Sequence, residues 1–168
     1  MAAGPDAAVY SPPGQTKRAG VTWVEDRIYA AGGEHIPQTW GAFADQTGIT
    51  AVVHLKPGAP AAFRGPLPEA YLWLGMADET QAQDSDRWLA GRFVAESLQA
   101  GRKVLLHSSL GRHRTRWVYV AWAIVDGRSA RAALRQAASR PWLSPYPTAP
   151  EVWEAFAREV RRGHRGAG

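Results

Sequence analysis

Short apolar runs alternate along this chain with stretches in which apolar residues recur every three or four positions. The runs have the period of strands, the stretches that of amphipathic helices. Val21-Thr22-Trp23-Val24 and Arg27-Ile28-Tyr29-Ala30 predict two strands around the polar pair Glu25-Asp26, a hairpin ended by Gly32-Gly33. Pro37 suits a first helical turn, Trp40, Phe43 and Ala44 follow at helical spacing, and Gly48 closes that helix. Ile49 to Leu55 predicts a buried strand, Lys56 to Pro68 a proline-rich surface loop, and Ala70 to Leu74 another strand. An acidic stretch, Gly75 to Asp86, leads to a helix capped by Asp84 or Ser85, with Leu89, Phe93, Val94 and Leu98 on its core face and Gly101 at its end. Val104 to Leu106 predicts one more buried strand. After it, Trp117 to Val125 is apolar almost all round, the mark of a helix buried on most sides. Asp126-Gly127 turns the chain into a helix from Ser129, and Arg140-Pro141-Trp142 breaks it. Thr148-Ala149-Pro150-Glu151 forms a capping box for a last helix with Val152, Phe156 and Val160 on one face.

Strands alternating with helices imply an α/β fold: a central, mainly parallel sheet flanked by helices, with ligands beyond the carboxyl ends of the strands. At 168 residues one domain is expected. Its span is residues 21–163, after an Ala/Gly/Pro-rich mobile arm at 1–20 and before a short C-terminal tail at 164–168. The chain contains no cysteine, which excludes disulfides and thiolate-held zinc, and the five histidines are scattered, so no metal and no cofactor is expected. With no apolar run near the roughly 20 residues of a membrane span, and no signal-peptide pattern at Met1 to Gly20, a cytoplasmic location is expected.

The net charge of +5 raises the question of nucleic acid. Much of it sits in the C-terminal tail from residue 158 on, where Arg158, Arg161, Arg162 and Arg165 stand against Glu159 alone, and no basic stripe with interleaved aromatics runs through the body. A nucleic-acid partner held by this basic end is therefore a minor alternative.

Candidate chemistry concentrates where Val104–Leu106 passes through a polar loop with one glycine into the apolar helix. A loop feeding a helix N-terminus turns unpaired N–H groups and the positive end of the helix dipole toward one point. Gly111 lets the backbone curl in, and Arg114 brings a fork of donors matched to phosphate oxygens. The segment His107-Ser108-Ser109-Leu110-Gly111-Arg112-His113-Arg114-Thr115 resembles the signature of the protein tyrosine and dual-specificity phosphatases, His-Cys-x-x-Gly-x-x-Arg-Ser/Thr. Each fixed position matches except the nucleophile, where Ser108 stands in place of cysteine. Ile49 to Leu55 and the Arg140-Pro141…Pro147 link resemble further, weaker family features, so the likeness spans roughly residues 20 to 160.

The resemblance implies a protein phosphatase that hydrolyses phosphate monoesters through a phosphocysteine. Ser109, Leu110, Gly111, Arg112, His113 and Arg114 would hold the phosphate, and His107 would support the loop. It assigns the general acid to Asp78, thirty residues before Ser108, with Asp84 as runner-up, and gives Thr115 the hydroxyl that eases thiolate departure.

The family's nucleophile works because amides and a guanidinium stabilise a thiolate, whose thiol has an ordinary pKa of about 8.5. A serine hydroxyl lies far above that, and a shift of about 5 units leaves it protonated at pH 7. Serine needs an adjacent base. His107 precedes Ser108 on a strand and so points to the other face, a Ser108–His113 pair is disfavoured, and no Gly-x-Ser-x-Gly elbow is present. The chain as written is expected to bind a phosphate ester and to leave it intact.

Two accounts of Ser108 remain. It is a Cys-to-Ser variant of an active enzyme, inactive or substrate-trapping, or it is native and the chain is a pseudophosphatase that binds phosphorylated partners without turnover. An acid and a departure-assisting hydroxyl have no use in a pure binder, which favours the first account. The expected partner is a phosphorylated protein or peptide. Arg112 and His113 equally suit a phosphoinositide or an RNA 5′-phosphate.

Overall fold

A buried strand needs partners on both edges and cover on both faces, and the chain supplies both. The computed structural model describes residues 21–32, 39–76, 79–108, 113–140 and 148–166, with the backbone alone at 113 and 164–166. The expected arm at 1–20 and the Pro141 and Pro147 positions lie outside the described residues.

The elements in order are β1 (Thr22–Glu25), β2 (Ile28–Ala31), α1 (Trp40–Thr47), β3 (Ile49–His54), β4 (Ala70–Trp73), a 3₁₀ turn (Glu79–Gln81), α2 (Asp84–Gln99), β5 (Lys103–His107), α3 (His113–Val125), α4 (Ala130–Ala138) and α5 (Pro150–Gly166). The strands form one sheet in the order β1-β2-β5-β3-β4. Only the β1–β2 hairpin is antiparallel, while β2, β5, β3 and β4 run parallel. The α/β architecture is therefore as the periodicity requires, with β5 at the centre.

Alternation along β5 divides the core. Val104 and Leu106 join Ile28, Ala51 and Val53 under α2, α3 and α5, where Trp117, Trp122 and Phe156 fill the space. Leu105 faces the other way with Val52 and Ile49, covered by Trp40 and Phe43 of α1. Helix α3 is buried from Trp117 to Ile124, as an all-round apolar helix must be. Gly48 ends α1 at φ +74°, and the Ser129 hydroxyl caps α4 by accepting from Ala132 N–H at 3.1 Å.

Helix α2 departs from its expected phase. Leu89, expected in the core, is 49% exposed, while Arg87 is 7% exposed. The cause is Gly91. A Cβ there would lie 2.7 Å from Val125 Cγ2 and 2.9 Å from the Ala121 carbonyl oxygen. The missing side chain lets α2 press against α3, and the small face of Ala90, Gly91, Val94 and Ser97 turns inward. Arg87 is accommodated by the Asp84 carboxylate, which accepts at 2.9 Å, and by the Trp153 ring. Asp84 is thus occupied inside the helix. The expected cap at Asp84 or Ser85 lies one residue earlier, at Gln83, whose N–H donates to Asp86 Oδ2 at 2.8 Å.

One ionic hub fastens the hairpin to the helices. Glu25 accepts from Arg128 and from the Tyr119 hydroxyl at 3.1 Å, and Arg140 lies 3.8 Å away. Burial, with the Glu25 charge added, pushes the Tyr119 phenol up to about 12.

The close α2–α3 approach makes Gly91→Ala a sharp test of the packing. The substitution gains about 1 kcal/mol of helix propensity, but overpacking against a backbone carbonyl costs about 1–3 kcal/mol. A net loss, read as a lower urea midpoint at unchanged slope, is the expected result.

Candidate functional site

Four parallel strands bring their carboxyl ends to one edge of the sheet, and the site is assembled there. Pairing continues just past the strands: Leu55 N–H donates to His107 O at 2.9 Å, Leu74 N–H to His54 O at 2.9 Å, and Ser108 N–H to Ala31 O at 3.3 Å. Position 108 is therefore fixed by the sheet before the chain leaves it.

Alternation then separates two neighbours. His107 projects to the α1 face beside His54, with ring centroids 5.3 Å apart. Ser108 meets the first turn of α3, where its Oγ lies 3.4 Å from Thr115 Oγ1, both side chains buried. Arg114, from the same turn, reaches back across the strand ends. Its Nη1 donates to Leu55 O at 3.1 Å and to Met76 O at 2.7 Å. These bonds join α3 to the ends of β3 and of the segment after β4 and fix the plane of the guanidinium.

Among the expected site residues, Ser108, Arg114, Thr115 and His107 thus come together at one sheet end. Asp78, Ser109, Leu110, Gly111 and Arg112 lie outside the described residues, as does the side chain of His113. Asp84, the runner-up acid, belongs to the Arg87 pair on α2. Among the described residues no three His, Asp or Glu side chains gather as a metal-holding cluster, and no helix is long and apolar enough to cross a membrane.

Two residues that sequence reasoning passed over belong to this region. His54 pairs in register with His107 and is 3% exposed. Its Nδ1 lies 2.9 Å from the Tyr71 hydroxyl, which also accepts from Ala61 N–H at 2.9 Å. The phenol thus bridges the His54 ring and the Ala61 backbone. Burial, reinforced by the charges of Lys56 and Arg114, lowers the His54 pKa to about 4. Burial likewise raises the Tyr71 phenol, against a smaller opposing effect of the Ala61 N–H. The one available signal for His54 was a polar residue in an otherwise apolar strand.

No protein-family model matches the chain, and none of the curated proteins matches it by sequence. Solved structures do match in shape. DUSP15 is 21% identical over 87% of this chain and 95% of its own, with a TM-score of 0.64. PTPMT1 in complex with PI(5)P is 18% identical over 83% of this chain and 96% of its own, with a TM-score of 0.66. The human tyrosine phosphatase-like serine/threonine/tyrosine-interacting protein is 19% identical over 86% of this chain and 97% of its own, with a TM-score of 0.57. This chain has the dual-specificity phosphatase fold.

The state of His54 sets an acid limit on the fold. An unfolded histidine titrates near 6.5, and the folded one near 4, so the unfolded chain binds the proton first. Stability is therefore fully present above about pH 6.5 and falls as pH drops toward 4, by an amount on the order of 3 kcal/mol. Urea midpoints across that range should decline, and His54→Asn, which keeps an acceptor for Tyr71, should flatten the decline.

Proposed function

We propose that this chain is a phosphatase of the dual-specificity type whose phosphate-binding half is intact and whose nucleophile position, Ser108, binds substrate without turning it over. The observation that carries the reading is the buried Ser108–Thr115 pair at the end of the central strand, with Arg114 of the same helical turn bonded to the Leu55 and Met76 carbonyls at the strand ends. At 3.4 Å the Thr115 hydroxyl lies within reach of the side-chain atom at position 108, which is where the departing-group donor of the proposed chemistry is needed.

With cysteine at 108, the amides of Ser109 to Arg114 and the Arg114 guanidinium stabilise the thiolate and receive the phosphate. The sulfur attacks phosphorus, and the leaving oxygen takes a proton from Asp78. Water then cleaves the phosphocysteine, and the Thr115 hydroxyl donates to the departing sulfur. Met76 supports the acid assignment: its carbonyl, two residues before Asp78, is bonded to Arg114. With Ser108 in place the same cradle binds the ester and the first step stops. That makes the chain a substrate trap or, with Ser108 native, a binder of phosphorylated partners. The matched phosphatase-like interacting protein supports the second form, and PTPMT1 bound to PI(5)P keeps a phosphoinositide within reach of the same cradle.

The expected behaviour separates binding from chemistry. The protein as it stands binds phenyl phosphate in calorimetry and releases no phosphate from p-nitrophenyl phosphate. Ser108→Cys acquires hydrolysis, Arg114→Ala in that background loses about 10²–10³-fold, and Asp78→Asn removes the basic limb of its pH profile. A folded Ser108→Cys protein that neither binds nor hydrolyses aryl phosphates sinks the reading.

A further inference from the structure

Beside the site lies a cavity of about 460 Å³, within the range of about 300–1,000 Å³ typical of ligand pockets. Its walls include Glu79, Arg116, Trp117, Leu134, Pro150 and Trp153. The two charged walls are chain neighbours of the proposed catalytic groups: Arg116 follows Thr115 and Glu79 follows Asp78. Successive helical residues are rotated by about 100°. With Thr115 turned to Ser108, Arg116 therefore faces elsewhere, and it lines this cavity.

The wall chemistry is unusual for a plain packing defect. Glu79 is 4% exposed, yet it is one of the cavity walls. Burial lowers the Arg116 guanidinium from its ordinary range, and the Glu79 charge works against that. The remaining walls are indole, aliphatic and proline surface. An occupant that matches them offers one N–H donor, one oxygen acceptor and an adjoining apolar group. A peptide unit carries one donor and one acceptor, with a side chain next to them. A polyphosphorylated head group is a poor match, since the Glu79 carboxylate repels a further phosphate.

We infer that this cavity is a subsite for the residue flanking the phosphorylated one in a polypeptide. Its peptide unit lies between the Glu79 carboxylate and the Arg116 guanidinium, and its apolar side chain against Trp117, Leu134 and Trp153. The inference rests on the phosphate-binding reading above and names the substrate class for it. A carboxylate offers about four acceptor sites, so Glu79 can take a peptide N–H alongside an internal partner.

The test uses the protein as it stands, with Ser108 preventing turnover. Phosphotyrosine peptides carrying Phe, Leu, Ala or Lys at each flanking position are titrated by fluorescence polarisation, with phenyl phosphate as the reference probe. Burial of one apolar side chain predicts at least tenfold tighter binding for Phe or Leu than for Ala at one flank. Leu134→Gln should erase that preference and leave phenyl phosphate affinity unchanged. Arg116→Gln, on a half-buried side chain, serves as the second variant and should also reduce it. A flat flank series with intact phenyl phosphate binding overturns the subsite alone. Tighter binding to phosphatidylcholine vesicles containing phosphatidylinositol 5-phosphate than to any peptide also overturns it. Absence of phenyl phosphate binding overturns the underlying reading as well.

Discussion

One guanidinium nitrogen joins three parts of this molecule. Carbonyls at the carboxyl ends of parallel strands have left the ladder and still need donors. Arg114 supplies a charged donor to two of them, Leu55 O and Met76 O, from the first turn of α3. Bonds to a charged donor are roughly twice as strong as neutral ones. The clamp therefore settles where α3 begins relative to β3 and where the chain runs after β4. It also orients a cation at the strand ends, where the dipole of α3 points the same way.

A site with this much positive potential constrains what can lie near it. His54 sits in register with His107 and close to both Lys56 and Arg114. A third cation there would cost desolvation and repulsion together, and the imidazole stays neutral. The Tyr71 hydroxyl lies 2.9 Å from its Nδ1, and Tyr71 is in turn held by Ala61 of the long loop after β3. A neutral His54 under the strand ends adds no charge to the field of Lys56 and Arg114. The support beneath the site and the electrostatics of the site are thus one arrangement.

How much of this could be read from the residues depends on how local the determinants are. The all-round apolar stretch Trp117 to Val125 could only be a buried helix, and Val104 to Leu106 could only be a buried strand. Their junction marked the site because a strand, a glycine and an arginine in that order define a local geometry. Strand order was another matter: β5 lies between β2 and β3 through pairings that no local pattern encodes. The same holds for His54, whose role comes from a register with His107, and for Leu89, displaced because Gly91 meets the Ala121 backbone across a helix interface. The Leu55 and Met76 carbonyls were invisible for a further reason, since every residue carries a carbonyl and only the fold selects which two an arginine meets.

Position 108 shows how far geometry alone can take a site toward catalysis. A field of amides and a guanidinium acts on whatever acid it surrounds by favouring the anion. For a thiol near 8.5 a modest shift suffices to make the nucleophile at neutral pH. For a hydroxyl the same shift falls short, and the Thr115 hydroxyl 3.4 Å from Ser108 is itself no base. His107 is directed to the opposite face by the strand that delivers Ser108. On the phosphatase reading proposed above, a field that receives a phosphate dianion is indifferent to the exchange of sulfur for oxygen, while the chemistry depends on it entirely. On that reading binding and turnover separate at a single atom, and the first can be retained without the second.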